Sequence, residues 1–202
     1  MRFVVLAVAS LLAAMSAASA QTAIGSVERV AGEARGALAG TETPVTAGGP
    51  VFLNETITTG ADGRVALTLE DGTTLTIGEN AEVVVDAFVF QPAGESQLHA
   101  GVVGAFRYIS GKLEGGGTRD ASVTTPVATI GVRGTDFWGG PIDGRYGIVI
   151  LEGTVSITTA AGSSVTLDQV GMGVDIDAGV AAAPIIWGEA RRQRALATVS
   201  FP

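Results

Sequence analysis

The sequence predicts an all-β fold, with many short strands in a single domain of β-solenoid, β-roll or sandwich-like form and a short helix at the C-terminal end. Three observations carry this. Apolar side chains recur with period two; helical periodicity is hard to find beyond the first twenty residues and before the C-terminal end; and 29 glycines separate short apolar runs without forming a low-complexity tract. Period two marks strands with one buried face, and glycine-marked breaks about every eight to twelve residues are where such strands reverse.

The N-terminal segment stands apart from this pattern. Arg2 precedes a run from Phe3 to Ala17 built almost wholly of Val, Leu, Ala, Met and Ser, and Ala18-Ser19-Ala20 places small residues where a signal peptidase reads them. Residues 1–20 are therefore expected to be a signal peptide, with Gln21 as the mature start and a periplasmic or secreted location. An uncleaved anchor is the rival, since the run approaches the roughly 18 residues that span a bilayer. Its richness in Ala and Ser favours cleavage, which leaves no membrane span.

The domain is expected over residues 21–180, with 181–202 as a tail. There is no cysteine, so stability must come from packing and hydrogen bonding. The net charge is −8, and loss of Arg2, the only charge in the leader, makes it −9. Such a surface repels phosphate backbones and argues against nucleic-acid binding.

The strands follow in order. In Val65-Ala66-Leu67-Thr68-Leu69 the alternate residues are large and apolar, Asp71-Gly72 is a turn signal, and Leu75-Thr76-Ile77 resumes the alternation. After Gly78-Glu79-Asn80 comes Val83-Val84-Val85, so the odd-numbered positions from Val65 to Val85 form one buried face. A similar pattern returns later: Val149 and Leu151, the break Glu152-Gly153, Val155 and Ile157, the turn Ala161-Gly162-Ser163, then Val165 and Leu167. Between the two lie a strand candidate at Val102–Tyr108 and the loop-like Gly115-Gly116-Gly117. Beyond Pro184, Glu189 to Leu196 suits two helical turns carrying Arg191, Arg192 and Arg194. This basic cluster either docks on an acidic face or forms a solvated helix, the simpler reading.

The most specific stretch is Thr125-Pro126-Val127-Ala128-Thr129-Ile130-Gly131-Val132-Arg133-Gly134-Thr135-Asp136-Phe137. It resembles the signature of the FecR family, a TP motif followed by vRGT and an aromatic residue. Val149-Ile150-Leu151-Glu152-Gly153-Thr154-Val155 resembles that family's following strand pair, and Thr58 to Leu67 with Leu69 to Leu75 resembles its opening. The resemblance spans Gly25 to Ile176. It implies an all-β extracytoplasmic module. In the best-known members, which regulate iron uptake, a cytoplasmic segment controls a sigma factor and a periplasmic part senses an outer-membrane receptor. This sequence shows neither that segment nor an internal span, and so resembles a stand-alone secreted version.

Candidate partner-contact or motif residues are Thr125, Pro126, Arg133, Gly134, Thr135, Phe137 and Trp138. Arg133 has the fork that binds a carboxylate or phosphate, but structure offers an equally good role, holding loop carbonyls or Asp136 while Gly134 supplies a bulge. Phe137 and Trp138 suit either an exposed aromatic contact or packing. Catalysis is poorly served: His99 is the only histidine and has no flanking nucleophile motif, which favours a plain surface histidine. The absence of cysteine disfavours zinc. Asp168, Asp175 and Asp177 fit no calcium loop, and Asp175 and Asp177 read as solvent-facing strand residues. Gly115-Gly116-Gly117 lacks the residues of a phosphate cradle. The expectation is an exported, non-catalytic binding or scaffolding module with a protein partner in the cell envelope and no cofactor. The alternatives are a structural envelope protein assembling through β edges and a carboxylate-dependent hydrolase; oligomeric state stays open.

Overall fold

The computed structural model describes residues 21–112 and 117–202; the expected signal peptide and most of the Gly115-Gly116-Gly117 run lie outside the described residues. The early strands are β1 (Ala23–Ala31), β2 (Ala34–Leu38), β3 (Thr41–Pro44), β4 (Pro50–Phe52), β5 (Thr56–Thr59), β6 (Arg64–Leu69), β7 (Thr74–Ile77), β8 (Glu82–Val89) and β9 (Glu95–Val103). They are followed by β10 (Phe106–Ile109), β11 (Thr118–Thr124), β12 (Ala128–Ile142), β13 (Arg145–Thr159), β14 (Ser164–Leu167), β15 (Met172–Asp177), β16 (Val180–Ala181) and β17 (Ile185–Ile186), and then by α1 (Glu189–Ala197).

The strands form one hydrogen-bonded network that curls into two facing walls. The first wall runs β4, β1, β6, β7, β10, the C-terminal half of β12, the N-terminal half of β13, then β15 with β16 and β17. The second runs β3, β2, β5, β8, β9, β11, the N-terminal half of β12, the C-terminal half of β13, then β14. Among the described residues only β9 and β11 pair in parallel. The chain crosses repeatedly from one wall to the other, which makes the fold a roll and explains the short strands: each strand except the 15-residue β12 and β13 belongs to one wall before the chain turns.

The predicted inward face is the core. Val65, Leu67, Leu69, Leu75, Ile77, Val83 and Val85 are all buried, packed against Leu98, Ala100, Ile130, Val155 and Ile157. At about 25 cal/mol per Å² of apolar surface removed from water, this shared interior is the main term holding the walls together. Two expectations differ from the structure. Val102–Tyr108 is not one strand, because the chain leaves β9 at Val103, turns through Gly104 and enters β10 in the other wall. Glu152-Gly153 does not end a strand either; β13 continues through it from one wall to the other, with a register irregularity there.

A second, smaller core lies on the outer face of the first wall, where Trp138, Ile142, Val149 and Ala105 meet Trp187, Ala195 and Val199 of the C-terminal segment. Helix α1 is short and would be marginal alone. Its basic cluster takes the docked alternative. Arg191 grips Asp175 with both guanidinium nitrogens, at 2.5 and 3.2 Å, and stacks 3.8 Å above the Trp187 ring. Arg194 donates to both Asp143 oxygens at 3.0 Å, and Trp138 Nε1 donates to Thr198 Oγ1 at 3.0 Å. Asp175 is therefore not the solvated strand residue its spacing suggested; arginine removes the repulsion there. Close approach is allowed by Gly147, where a Cβ would lie 2.6 Å from the Trp187 ring. Trp187→Ala is expected to cost about 3–5 kcal/mol in urea unfolding. Arg194→Ala, which removes an exposed ion pair, should cost less than about 1 kcal/mol.

Candidate functional site at the Arg133 corner

The β11–β12 hairpin is closed by Thr125. Its backbone N–H and its hydroxyl both donate to the Ala128 carbonyl, at 2.8 and 2.9 Å, and its Oγ1 accepts the Ala128 N–H at 3.1 Å, which leaves Pro126 exposed at the tip. Along the first half of β12, Ile130 and Val132 point inward while Gly131 and Arg133 point outward.

At Gly134 the pattern inverts. Arg133 lies opposite Thr154, but the next pairs are Asp136 with Glu152 and Phe137 with Ile150. Between the first two pairs β12 carries one extra residue; between the last two β13 carries one, and the register is restored. Each bulge shifts the side-chain alternation by one, so the inward residues become Thr135 and Phe137 on β12, and change from Ile148 and Ile150 to Val155 and Ile157 on β13. Gly153, at φ +79, faces the Gly134 carbonyl too closely to accept a side chain.

Thr135 is consumed by this corner. It is buried, its hydroxyl donates to the Thr154 carbonyl at 2.8 Å, and its N–H donates to Ser110 Oγ at 3.0 Å. Asp136 is held by Arg107, not by Arg133: Nε and Nη2 reach its two oxygens at 2.9 and 2.6 Å. These hydrogen bonds keep the Arg107 guanidinium more firmly charged, against the opposing effect of burial. Arg133 is exposed and makes no hydrogen bond or ion pair among the described residues, so it does not hold loop carbonyls. It borders a shallow groove with Asp120, Gly131, Thr154 and Ser156.

Phe137 and Trp138 are both fully buried, on opposite faces of β12. Phe137 packs edge-on against Phe106 and stacked against Tyr108, each at 5.6 Å, while Trp138 meets Trp187 at 6.3 Å. Neither presents an exposed aromatic surface.

Two clusters escaped the sequence reading. Asp71, taken only as a turn residue, is buried; it accepts the Thr73 N–H and hydroxyl, each at 2.9 Å, and pairs with Arg119 at 2.9 Å. Arg119 in turn donates to the Gly111 carbonyl at 2.9 Å. The Asp-Gly-Thr sequence is the signal available, since an Asp that caps its own turn can fold inward. His99, expected as a plain surface residue, sits between Asp86 at Nδ1 and Thr124 Oγ1 at 3.0 Å from Nε2. Carboxylate, imidazole and hydroxyl in a row is the order nucleophilic activation needs. Here the surrounding strands β9, β11 and β12 pair through the backbone ladder. What the row does is tie β8, β9 and β11 together. No group of three His, Cys, Asp or Glu side chains suited to a metal occurs among the described residues.

The fold is shared with two crystal structures of a protein from Parabacteroides distasonis proposed to be an anti-sigma factor. The TM-score is 0.56 for each, at 14% and 15% sequence identity, over 70% of this chain. The matched region is 64% and 63% of those chains' lengths, so this chain spans less than two thirds of them. No curated protein matches the sequence.

The corner yields a direct test. Gly153→Ala meets both a left-handed backbone and the Gly134 carbonyl, and should cost about 2 kcal/mol or more; Gly162→Ala, at φ +83 with open space around it, should cost about 1 kcal/mol. The measurement is the urea midpoint of each variant. The corner itself lies within residues 55–156, which match the family model described as FecR protein over half of the chain. This chain belongs to the FecR protein family.

Proposed function

We propose that the chain is an exported, non-catalytic module that senses or relays a signal through a protein partner in the cell envelope, in the periplasm or outside the cell. The observation that carries this is the state of the motif residues. Thr125, Thr135, Phe137 and Trp138 are consumed by hairpin, corner and cores, whereas Arg133 projects from the same corner without an internal partner among the described residues. An arginine held out on a rigid bulge, beside the hydroxyls of Thr154 and Ser156, is suited to a carboxylate on a partner surface. Membership of the FecR family and a fold shared with a protein proposed to be an anti-sigma factor support relay over hydrolysis or coat formation.

The contact surface on this reading is Arg133 with Gly134 and the exposed hairpin tip at Pro126. A photo-cross-linking side chain at position 133, in cells expressing the full chain, should capture an envelope protein. Arg133→Ala should reduce co-purification of that protein while moving stability by no more than about 0.5 kcal/mol. Loss of more than about 1 kcal/mol with capture unchanged would return Arg133 to a structural role.

A further inference from the structure

The roll has two seams where its walls end, and the chain treats them differently. At the N-terminal seam, residues 45–49 pass from β3 to β4 and bond to both walls: Val45 N–H to the Ala34 carbonyl at 3.0 Å, and Val27 N–H to the Gly49 carbonyl at 2.8 Å. The strands there are guarded, with Glu42 and Pro44 on β3 and Pro50 on β4. These are the features that keep a sheet edge from accepting another strand.

The C-terminal seam has no such cover among the described residues. Strand β14 ends the second wall, and β16 and β17 end the first. Thr159 N–H bonds to the Ser163 carbonyl, so by antiparallel alternation Val165 and Leu167 exchange bonds with β13, and the N–H and C=O groups of Ser164 and Thr166 face away from it. This edge is four residues long, without proline or charge. Behind it, half-buried Val165, Met172 and Ala181 pack against the core at the end of the walls. Exposed Val170, Val180, Ile185 and Ile186 crowd the same end of the roll. Asp168 directly follows β14, and Asp177 is in register with Val180; both carboxylates are exposed and unpaired among the described residues.

We infer that this seam binds an extended segment of the partner protein, which adds to β14 as a further strand. Free backbone groups at alternate residues select a strand. The half-buried and exposed apolar side chains beside the edge select aliphatic side chains at every second position, and Asp168 with Asp177 selects a flanking Lys or Arg. A second copy of the chain fits less well, since it would bring the same carboxylates and a net charge of −8 against themselves. The inference deepens the protein-binding reading and rests on it.

The test uses the purified chain and two peptides, Lys-Val-Thr-Val-Thr-Val-Lys and its Glu-flanked counterpart, with amide hydrogen exchange read by NMR. The Lys-flanked peptide should slow exchange at Ser164 and Thr166, and the Glu-flanked one should bind about fivefold more weakly. Asp168→Lys should reverse that preference. Thr166→Pro should abolish binding with unchanged folding, because the N–H it removes serves no bond within the second wall. Unchanged exchange at both amides, or equal binding by the Thr166→Pro variant, overturns the proposal. So does a dimer in sedimentation that Thr166→Pro dissolves, which would assign the seam to a second copy. If the peptides fail while cross-linking from position 133 still captures a partner, the seam is wrong and the relay reading stands.

Discussion

The structure depends on one constraint: β12 and β13 must each belong to both walls. Along both strands the apolar residues change phase at the corner, from Ile130 and Val132 to Phe137 and from Ile148 and Ile150 to Val155 and Ile157, so an unbroken alternation would turn one half's apolar residues to solvent. The extra residue at Gly134 on β12 and the compensating one at Leu151 on β13 accommodate this by inverting the alternation on both strands at the same corner while restoring their pairing. Ile130 and Val132 thus share an interior with Phe137, and Val155 and Ile157 share it with Ile148 and Ile150.

The inversion has an outward consequence. Once Phe137 turns inward, Trp138 must turn out onto the face of the first wall, where an uncovered indole would be a large apolar patch. Trp187, Ala195 and Val199 cover it, and Arg191 pins that cover to Asp175. The C-terminal segment is bound to the domain by the same alternation that closes the corner. Arg133 is the residue that alternation leaves on the outer side, next to the bulge.

Much of this was legible in the sequence where contacts are local. Period two placed Val65 to Val85 correctly because each strand there serves one wall and keeps one phase. The helix was legible from Glu189 onward for the same reason. The corner was not, because Glu152-Gly153 has the composition of a turn, and a bulge differs from a turn only in what the opposite strand does. Arg107 was not visible as the partner of Asp136, since the two meet only through the β10–β12 register. Trp138 could not be assigned a face without knowing where the phase changed. The signature stretch was recognisable as a unit, yet which of its residues remain free is a property of the fold.

The most direct test of this account is whether the two walls open together. Native-state hydrogen exchange on β12 and β13 should give opening free energies on either side of Gly134 and Gly153 that agree within about 0.5 kcal/mol, as for one cooperative unit. Two groups separated by about 2 kcal/mol or more, divided at the bulges, would mean the walls fold as independent pieces and would contradict the corner's role.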